Sequence, residues 1–457
     1  MEIYPQFVVG EYISTRTYYF ETEKSRAYIS NELSHTDILL ECESADLWTV
    51  IVKTQDYKKI LEYAKNRNLD NELSDFLDNL KKIGLIKNLP FEQSIRNILS
   101  NSININDNEY KTFQYEKNNW LEKNNLLGEL FFELTFRCNL KCIHCFNKKN
   151  LIKQEILTFH DVKKAIDEAY ELGIHTIGVS GGESTLHPDM LEILKYAKSK
   201  KLAIKILSNG QTFYDNRQFL DEILKLYPYS ISFSLYSMNP EIHDKITGVA
   251  GSHKKTKKVI EYLRSKNIKT CIKCFIMDIN ANEHKEIADF AKKIGASFVI
   301  DAHFLTSENN NDYVQLNDKQ LQTLLGDKDS LYYISNYKPI EINHDFLNTK
   351  ICKATKNSLT IDPMGDVYAC PSLPIKLGNI RKNRIKDIIR SEKVNKIRNA
   401  KKKDMKECWT HDYCRFCVYC PGMAINENGW LTKSEVCCKI AKAKLHIYNQ
   451  INENINS

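Results

Sequence analysis

The hydrophobic pattern divides the chain into stretches of different period. Short apolar runs at Phe7-Val8-Val9, Tyr18-Tyr19-Phe20 and Ile38-Leu39-Leu40 are separated by polar turns and read as strands. Helical spacing follows at Leu47, Ile51 and Val52, then at Ile60, Leu61 and Ala64, then at Leu73, Phe76, Leu77 and Leu80. Gly84 ends the last of these helices. Residues 1–90 thus form a small α+β unit, three strands and then three helices. Residues 91–127 are rich in Asn and Lys with little periodicity and read as a linker. From Leu130 strand and helix alternate. Strands are expected at 130–136, 175–179, 202–207, 230–235, 268–275 and 297–300, with helices near 159–173, 188–198, 216–226, 253–266 and 283–294. The first of these helices is strongly amphipathic, with Val162, Ala165, Ile166, Ala169 and Tyr170 on one face. Six β/α units in succession imply a parallel sheet, curled or doubly wound, whose chemistry gathers at the carboxyl ends of the strands. Residues 346–440 show little long periodicity, and such a segment is expected to bury little apolar core. Residues 441–457 read as a terminal helix.

Composition narrows the class. Over 457 residues, 42% hydrophobic and 27% charged positions exclude wholesale disorder. A net charge of +7, spread along the chain, is not the concentrated stripe of a nucleic-acid binder. No apolar run reaches the length of a membrane span, and the first residues lack a secretory pattern, so a cytoplasmic protein is expected. In that reducing compartment 14 cysteines argue for metal ligation rather than disulfides. They cluster: Cys138, Cys142 and Cys145 lie together, and Cys352, Cys370, Cys408, Cys414, Cys417, Cys420, Cys437 and Cys438 lie near the end. Cys271 and Cys274 fall on a strand, where i and i+3 face opposite ways, and read as separate core thiols. Lys396–Lys403 reads as a solvated helix face.

The first array is C-x3-C-x2-C, just past a strand end. Three thiolates on one loop hold three corners of a cubane cluster and leave the fourth iron open, as an incomplete ligand set leaves room for substrate at catalytic zinc. The competing reading is a zinc knuckle with its fourth ligand elsewhere, because His144 lies too close within the loop to serve. Ser180-Gly181-Gly182-Glu183 follows the second strand, Ile206-Leu207-Ser208-Asn209-Gly210 the third, and Ser234 ends the fourth; His243-Asp244, Thr247-Gly248 and Gly251-Ser252 come next. Singly these are turn signals; together, in order at successive strand ends, they are informative. Gly181 and Gly182 allow close approach of a ligand, and Glu183 can accept from an ammonium group.

Over residues 130–305 the chain resembles the radical S-adenosylmethionine (SAM) superfamily. The resemblance implies a partial (β/α)6 TIM-like barrel. It implies a [4Fe–4S] cluster on Cys138, Cys142 and Cys145 whose open iron chelates SAM, with one-electron cleavage to a 5′-deoxyadenosyl radical that abstracts hydrogen from substrate. It places His144 against the adenine and puts Gly181, Gly182, Glu183, Ser208, Asn209 and Ser234 around SAM. Tyr236 departs from the pattern, since relatives often carry Asp there. The resemblance further implies an electron donor such as flavodoxin or ferredoxin.

The second array, Cys352-x12-Gly365-x4-Cys370 followed by Cys408, Cys414, Cys417, Cys420 and Cys437-Cys438, resembles the SPASM extension of peptide- and protein-modifying members. That implies two auxiliary iron–sulfur clusters, the first served by Cys352, Cys370 and Cys420 and the second by Cys408, Cys417 and Cys438. The remaining ligand falls at His411 if the family spacing holds, or at Cys414 if the loop is re-threaded; thiolate is the usual ligand, which favours Cys414. Cys437 is then the spare thiol. A structural zinc ribbon is the alternative.

The unit at 1–90, with Ala45-Asp46-Leu47-Trp48 opening its first helix, resembles the winged-helix-like recognition element of enzymes that tailor ribosomally made peptides. It implies that a precursor's leader adds a strand to the sheet edge; an accessory cap or oligomerisation module is the competing reading. The expected organisation is 1–90 leader recognition, 91–127 linker, 128–345 radical SAM core, 346–440 SPASM domain and 441–457 terminal helix. The expected activity is that of sactipeptide and ranthipeptide maturases, a cysteine sulfur-to-carbon thioether. Carbon–carbon cross-linking, epimerisation, formylglycine-type maturation and a non-catalytic metal-dependent peptide carrier stand as alternatives.

Overall fold

The computed structural model describes residues 7–9, 13–18, 25–32, 36–88, 121, 126–145, 147, 155–301, 316–326, 339–352, 354–355, 357–405 and 407–456. The linker expected at 91–127 and the strand residues Tyr19-Phe20 lie almost wholly outside them.

The N-terminal unit contains β1 (Phe7–Val9), β2 (Ile13–Tyr18), β3 (Arg26–Asn31), β4 (Thr36–Glu41), α1 (Cys42–Thr54), α2 (Tyr57–Lys65), α3 (Asp70–Lys82) and β5 (Ile86–Asn88). β2, β3 and β4 make an antiparallel sheet in that order, and β1 pairs with β5. The sequence pattern predicts three strands before the helices, whereas β3 is a further one. Its Ala27 and Ile29 alternate with polar neighbours instead of forming an apolar run, so a search for runs passes over it. Trp48 centres this unit's core, fully buried, with its indole N–H donating to Thr15 Oγ1 at 2.9 Å.

The core runs β6 (Glu129–Glu133), α4 (Phe159–Glu171), β7 (Thr176–Ser180), α5 (Met190–Ser199), β8 (Ala203–Ser208), α6 (Gln211–Asp215), α7 (Arg217–Leu224), β9 (Ser230–Ser234), α8 (Pro240–Thr247), α9 (Ser252–Ser265), β10 (Thr270–Phe275), α10 (His284–Ile294) and β11 (Ser297–Asp301). β6 to β11 are all parallel, neighbour to neighbour, as six β/α units require. α4 shows why the sequence folds this way locally. Thr158 and Asp161 form a capping box, and Val162, Ala165, Ile166 and Ala169 bury one face.

After α11 (Asp318–Gly326) and α12 (His344–Asn348), the chain returns to the same sheet. β12 (Ser358–Ile361) lies parallel to β6, then β13 (Asp366–Cys370) and β14 (Leu373–Asn379) add antiparallel strands. The sheet of nine strands therefore reads β11-β10-β9-β8-β7-β6-β12-β13-β14. This corrects the expectation that residues 346–440 bury little core. Leu359, Ile361, Val367, Ala369 and Leu373 join the barrel's apolar cluster, as do Ile385, Ile388 and Val394 from α13 (Ile385–Ile389) and α14 (Glu392–Asn399). The strands are short and their register shifts on both sides of Tyr368, which breaks the period-2 signal. A smaller cluster of Ile351, Met405, Trp409 and Cys414 follows, then α15 (Pro421–Glu427) and α16 (Glu435–Asn456), which begins earlier than the expected residue 441.

The N-terminal unit seats against residues that precede barrel strands. Thr15 N–H donates to Lys201 O, Arg16 reaches the Tyr170 carbonyl and stacks on its ring, and Tyr229 donates to Asp37. Glu32 is buried there beside Ser14 and Lys198 (3.2 Å). Lys201, Tyr170 and Tyr229 lead into β8, β7 and β9, so the unit sits at the amino-terminal end of the barrel.

Candidate functional site

The carboxyl-terminal end carries the predicted motifs. Thr135 is fully buried and leads from β6 into the cysteine loop. Gly182 N–H donates to Thr135 O at 2.7 Å and Glu183 N–H to Arg137 O at 2.8 Å, so the loop's stem is bonded to the Gly-Gly-Glu turn. A Cβ on Gly181 would lie 2.4 Å from Thr135 O, and one on Gly182 2.3 Å from Arg137 O. Gly181 also holds a φ of +137°. The close approach these glycines permit is thus that of the chain's own residues 135–137, a different use from the ligand approach expected.

Glu183 is likewise committed within the protein. Its Oε1 accepts from Ser208 Oγ (2.8 Å), Thr185 Oγ1 (2.7 Å) and Thr185 N–H (3.2 Å), and its Oε2 from Asn209 N–H at 2.6 Å. Burial pushes its pKa up, against the pull of these donors. The carboxylate ties the ends of β7 and β8 together beneath the loop. Asn209 completes the tie: its Nδ2 donates to Asn139 Oδ1 at 2.7 Å and approaches Cys138 Sγ at 3.9 Å.

Sequence reasoning missed the helix that holds the loop from the other side. At the end of α8, Thr247 O accepts from Lys141 N–H (2.8 Å) and Ile246 O from Ile143 N–H (2.9 Å). Gly248, at φ +68°, lies where a Cβ would meet Lys141 O at 3.0 Å. Asp244 accepts from Gly251 N–H, Ser252 Oγ and His253 N–H, fixing the turn into α9. The available signal was Asn239-Pro240, a cap residue followed by Pro at the first helical position.

His144 places Nε2 3.0 Å from the Tyr236 hydroxyl, with the rings edge to face at 4.7 Å. Burial lowers its pKa to about 4, so the imidazole is neutral, and among the described residues its buried Nδ1 has no hydrogen-bond partner. Tyr236 stands where the resemblance leads to an Asp, and Ser234 lies beside its phenol oxygen. Ser234 and His144 therefore both adjoin Tyr236.

The loop sulfurs fit an iron–sulfur cluster. Burial first, and then Cys138 and Cys145, push the Cys142 thiol up to about 12; burial, Glu183 and Cys145 push Cys138 to about 11. Thiols whose ionisation is this disfavoured become thiolates at neutral pH only against a bound cation, and a cubane takes each on a separate iron.

The second array falls into two groups. Cys370, at the end of β13, and Cys420, at the start of α15, are held together because Gly422 has no side chain; a Cβ there would lie 2.1 Å from Ser372 O. Cys352 and Cys370 lie in each other's field, as do Cys370 and Cys420. In the other group, burial raises Cys408 to about 11, helped by Cys438 and Cys414, and Cys417 is raised by burial and by Cys437, Cys438, Cys414 and Cys408. Cys414 is buried, whereas His411 is exposed and stacks on Tyr413 at 5.0 Å. Cys437, the thiol expected to be spare, is 3% exposed, 3.9 Å from Met423 Sδ, and in the field of both Cys417 and Cys420. Lys444, also buried, lies in the field of Cys417. Cys274 is buried on the helix side of β10 and Cys271 lies half-buried opposite, as separate thiols. Lys402, by contrast, departs from the solvated face expected of 396–403: it packs on the Phe346 ring and bonds Thr349 Oγ1 at 2.6 Å.

A parallel half-barrel with a three-thiol loop at its mouth and a second thiol array beside it defines an iron–sulfur enzyme. Comparison with known proteins gives the family. Residues 132–291 match the radical SAM superfamily and residues 352–420 match the SPASM iron–sulfur cluster-binding domain. The chain is 30% identical, over 68% of its length and 70% of the relative's, to the antilisterial bacteriocin subtilosin biosynthesis protein AlbA of Bacillus subtilis. It is 25% identical, over 67% of its length and 95% of the relative's, to the AdoMet-dependent heme synthase of Methanosarcina barkeri. Streptococcus suis SuiB, solved with S-adenosylmethionine and with precursor peptide SuiA, shares the fold at a TM-score of 0.55 and 17% identity, with 94% of this chain and 99% of that one covered. The chain belongs to the radical SAM superfamily and carries a SPASM extension. Its cofactors are a [4Fe–4S] cluster with an open site for SAM, SAM itself, and auxiliary iron–sulfur clusters. No helix among the described residues is long and apolar enough to cross a membrane.

Proposed function

We propose that this radical SAM/SPASM enzyme matures a ribosomally made precursor peptide by joining a cysteine sulfur to a carbon of the same peptide. The observation that carries the reading is the 30% identity, over 68% of the chain, to a protein named for bacteriocin biosynthesis. When bound, the cluster and SAM supply one-electron cleavage of the sulfonium and hence hydrogen abstraction from an unactivated carbon.

In this reading Cys138, Cys142 and Cys145 hold three irons. The buried Glu183–Ser208–Asn209 network keeps the loop's floor rigid, and His144 and Ser234, which both adjoin Tyr236, face the nucleoside. Cys352, Cys370 and Cys420 serve one auxiliary cluster; Cys408, Cys414, Cys417 and Cys438 serve the other, with the solvent-facing His411 left out. An electron donor of the flavodoxin or ferredoxin type supplies the reducing electron, and the cytoplasm is the compartment that keeps these thiols reduced.

The leader docks on the N-terminal unit by β-addition. The edge of β2 is tied to the barrel through Thr15, whereas among the described residues no strand pairs with the outer side of β4. The unit lies at the opposite end of the barrel from the cysteine loop, so the core peptide must run along the barrel to reach the mouth.

The test uses a short cysteine-containing precursor peptide, to be sought as a reading frame beside the gene. Anoxic enzyme with SAM and dithionite is expected to release 5′-deoxyadenosine and to give a peptide lighter by two hydrogens, with one thiol lost to alkylation. An unchanged mass means epimerisation; a lost pair of hydrogens with all thiols still reactive means a carbon–carbon link. A carrier binds the peptide and releases no 5′-deoxyadenosine. Cys142→Ala is expected to abolish SAM cleavage and leave leader binding intact; parallel loss of both rejects the two-site arrangement.

A further inference from the structure

Glu133, the last residue of β6, has no part in the site described so far. Leu130 and Phe132 of this strand belong to the apolar cluster shared with the helices, so Glu129, Phe131 and Glu133 line the other face, the barrel lumen. Their neighbours agree. Glu129 meets Lys205 of β8 at 2.8 Å, and a Cβ on Gly178 of β7 would strike the Phe131 ring at 2.4 Å. Glu133 therefore stands at the lumen's upper rim, two residues before the Thr135 stem of the cysteine loop. Asn147, two residues beyond Cys145, lies beside it.

β12 runs parallel beside β6 with Ile361 opposite Phe132, which sets Asp362 next to Glu133. Both are 8% exposed. Asp362 has structural work: it accepts from the Met364 and Asp366 N–H groups (2.9 and 2.8 Å), closing the turn into β13, and from the Tyr368 hydroxyl. Glu133 has no such duty. Among the described residues neither carboxylate has a cationic partner. Burial, and then the charge of Asp362, push Glu133 up to about 7. The groups facing it are Asp362 from the end of β12 and Tyr368 from β13; β7 contributes only the neutral Ser180. A buried acid pair without a counter-charge costs stability, which marks it as a functional group.

Thioether formation supplies the need. It removes one hydrogen atom from carbon, one proton from sulfur and one electron. The hydrogen atom ends on 5′-deoxyadenosine and the electron on an auxiliary iron–sulfur cluster as one-electron oxidant. The proton requires an acceptor, because a thiol of ordinary pKa, about 8.5, is mostly protonated at neutral pH. We propose that Glu133 is that acceptor: the substrate S–H bond breaks, its proton passes to the Glu133 carboxylate, and the sulfur bonds to carbon. The assignment rests on the thioether reading.

The experiment uses full-length enzyme, the cysteine-containing precursor peptide of the test above, SAM and dithionite. Glu133→Gln is expected to lower cross-linked product roughly 100- to 1,000-fold at pH 7 while iron content, cluster spectra and 5′-deoxyadenosine release stay within twofold. At pH 9, where the substrate thiol ionises unaided, the deficit should shrink to under about tenfold. Glu133→Asp should fall between. Product within threefold of wild type, a deficit that pH does not change, or a parallel loss of iron and SAM cleavage overturns the assignment. If the wild-type enzyme itself forms no thioether, the thioether reading fails and the assignment with it.

Discussion

At the residue scale the site is built from close approaches. Gly182 is one of the tightest: an added Cβ would press on Arg137 O with backbone on both sides, so nothing flexible can yield. Gly182→Ala should cost about 1–3 kcal/mol by overpacking and displace the cysteine loop. Iron bound at the first cluster should then fall while the auxiliary iron stays, which Mössbauer spectra of the two samples would report. The thiols of that loop, Gly181-Gly182-Glu183 and Ser208-Asn209 were legible in the sequence because each sits at a strand end. What the glycines do was not. Sequence shows that a Cβ is missing and not which atoms fill the space, here Thr135 and Arg137 rather than a ligand. The place of Glu133 was hidden for the same reason, because its neighbour Asp362 comes from a strand more than two hundred residues later.

At the scale of elements, the six barrel strands and the helices between them followed from period, whereas α8 and β3 did not. α8 is only eight residues long, too short for a sustained helical stripe, yet its last carbonyls hold the cysteine loop. The seam between the N-terminal unit and the barrel also has a pH dependence that the sequence conceals. Glu32 is raised to about 7 by burial, against the pull of Lys198, and Lys198 is itself lowered by burial. A carboxyl whose folded pKa lies above its unfolded value contributes stability below about pH 4.5 that is lost as pH rises through 7. Lys198→Met should therefore be mild at pH 5, where Glu32 is protonated. At pH 8, where it leaves a buried carboxylate unpaired, it should cost about 3–5 kcal/mol. Urea unfolding at the two values measures the difference. Equal losses would show that Glu32 stays neutral across the range.

For the whole molecule, the continuous sheet changes what the auxiliary clusters stabilise. β12 to β14 share the barrel's core, so their folding does not wait on iron. The segment from Met405 to Ser434 has the small cluster around Trp409, gives Phe416 to the main core, and otherwise leans on its thiols. Chelating the iron should leave amide exchange in β12–β14 slow and make 405–434 exchange fast; simultaneous loss in both would mean that the clusters organise the entire extension. With the leader docked on the N-terminal unit as proposed, a second expectation follows. Strands of about five residues span roughly 17 Å, so a precursor with fewer than about five residues between its leader and its first cross-linked position should bind without reacting.

With the leader bound as proposed, gripping and bond formation happen at opposite ends of one barrel. A chain clamped at the lower rim keeps its free portion loose near the upper rim, and finishing one ring does not oblige it to let go. Rings should then appear in order of their distance from the clamp, and excess unlabelled precursor added after the first turnover should not stop a bound molecule from being completed.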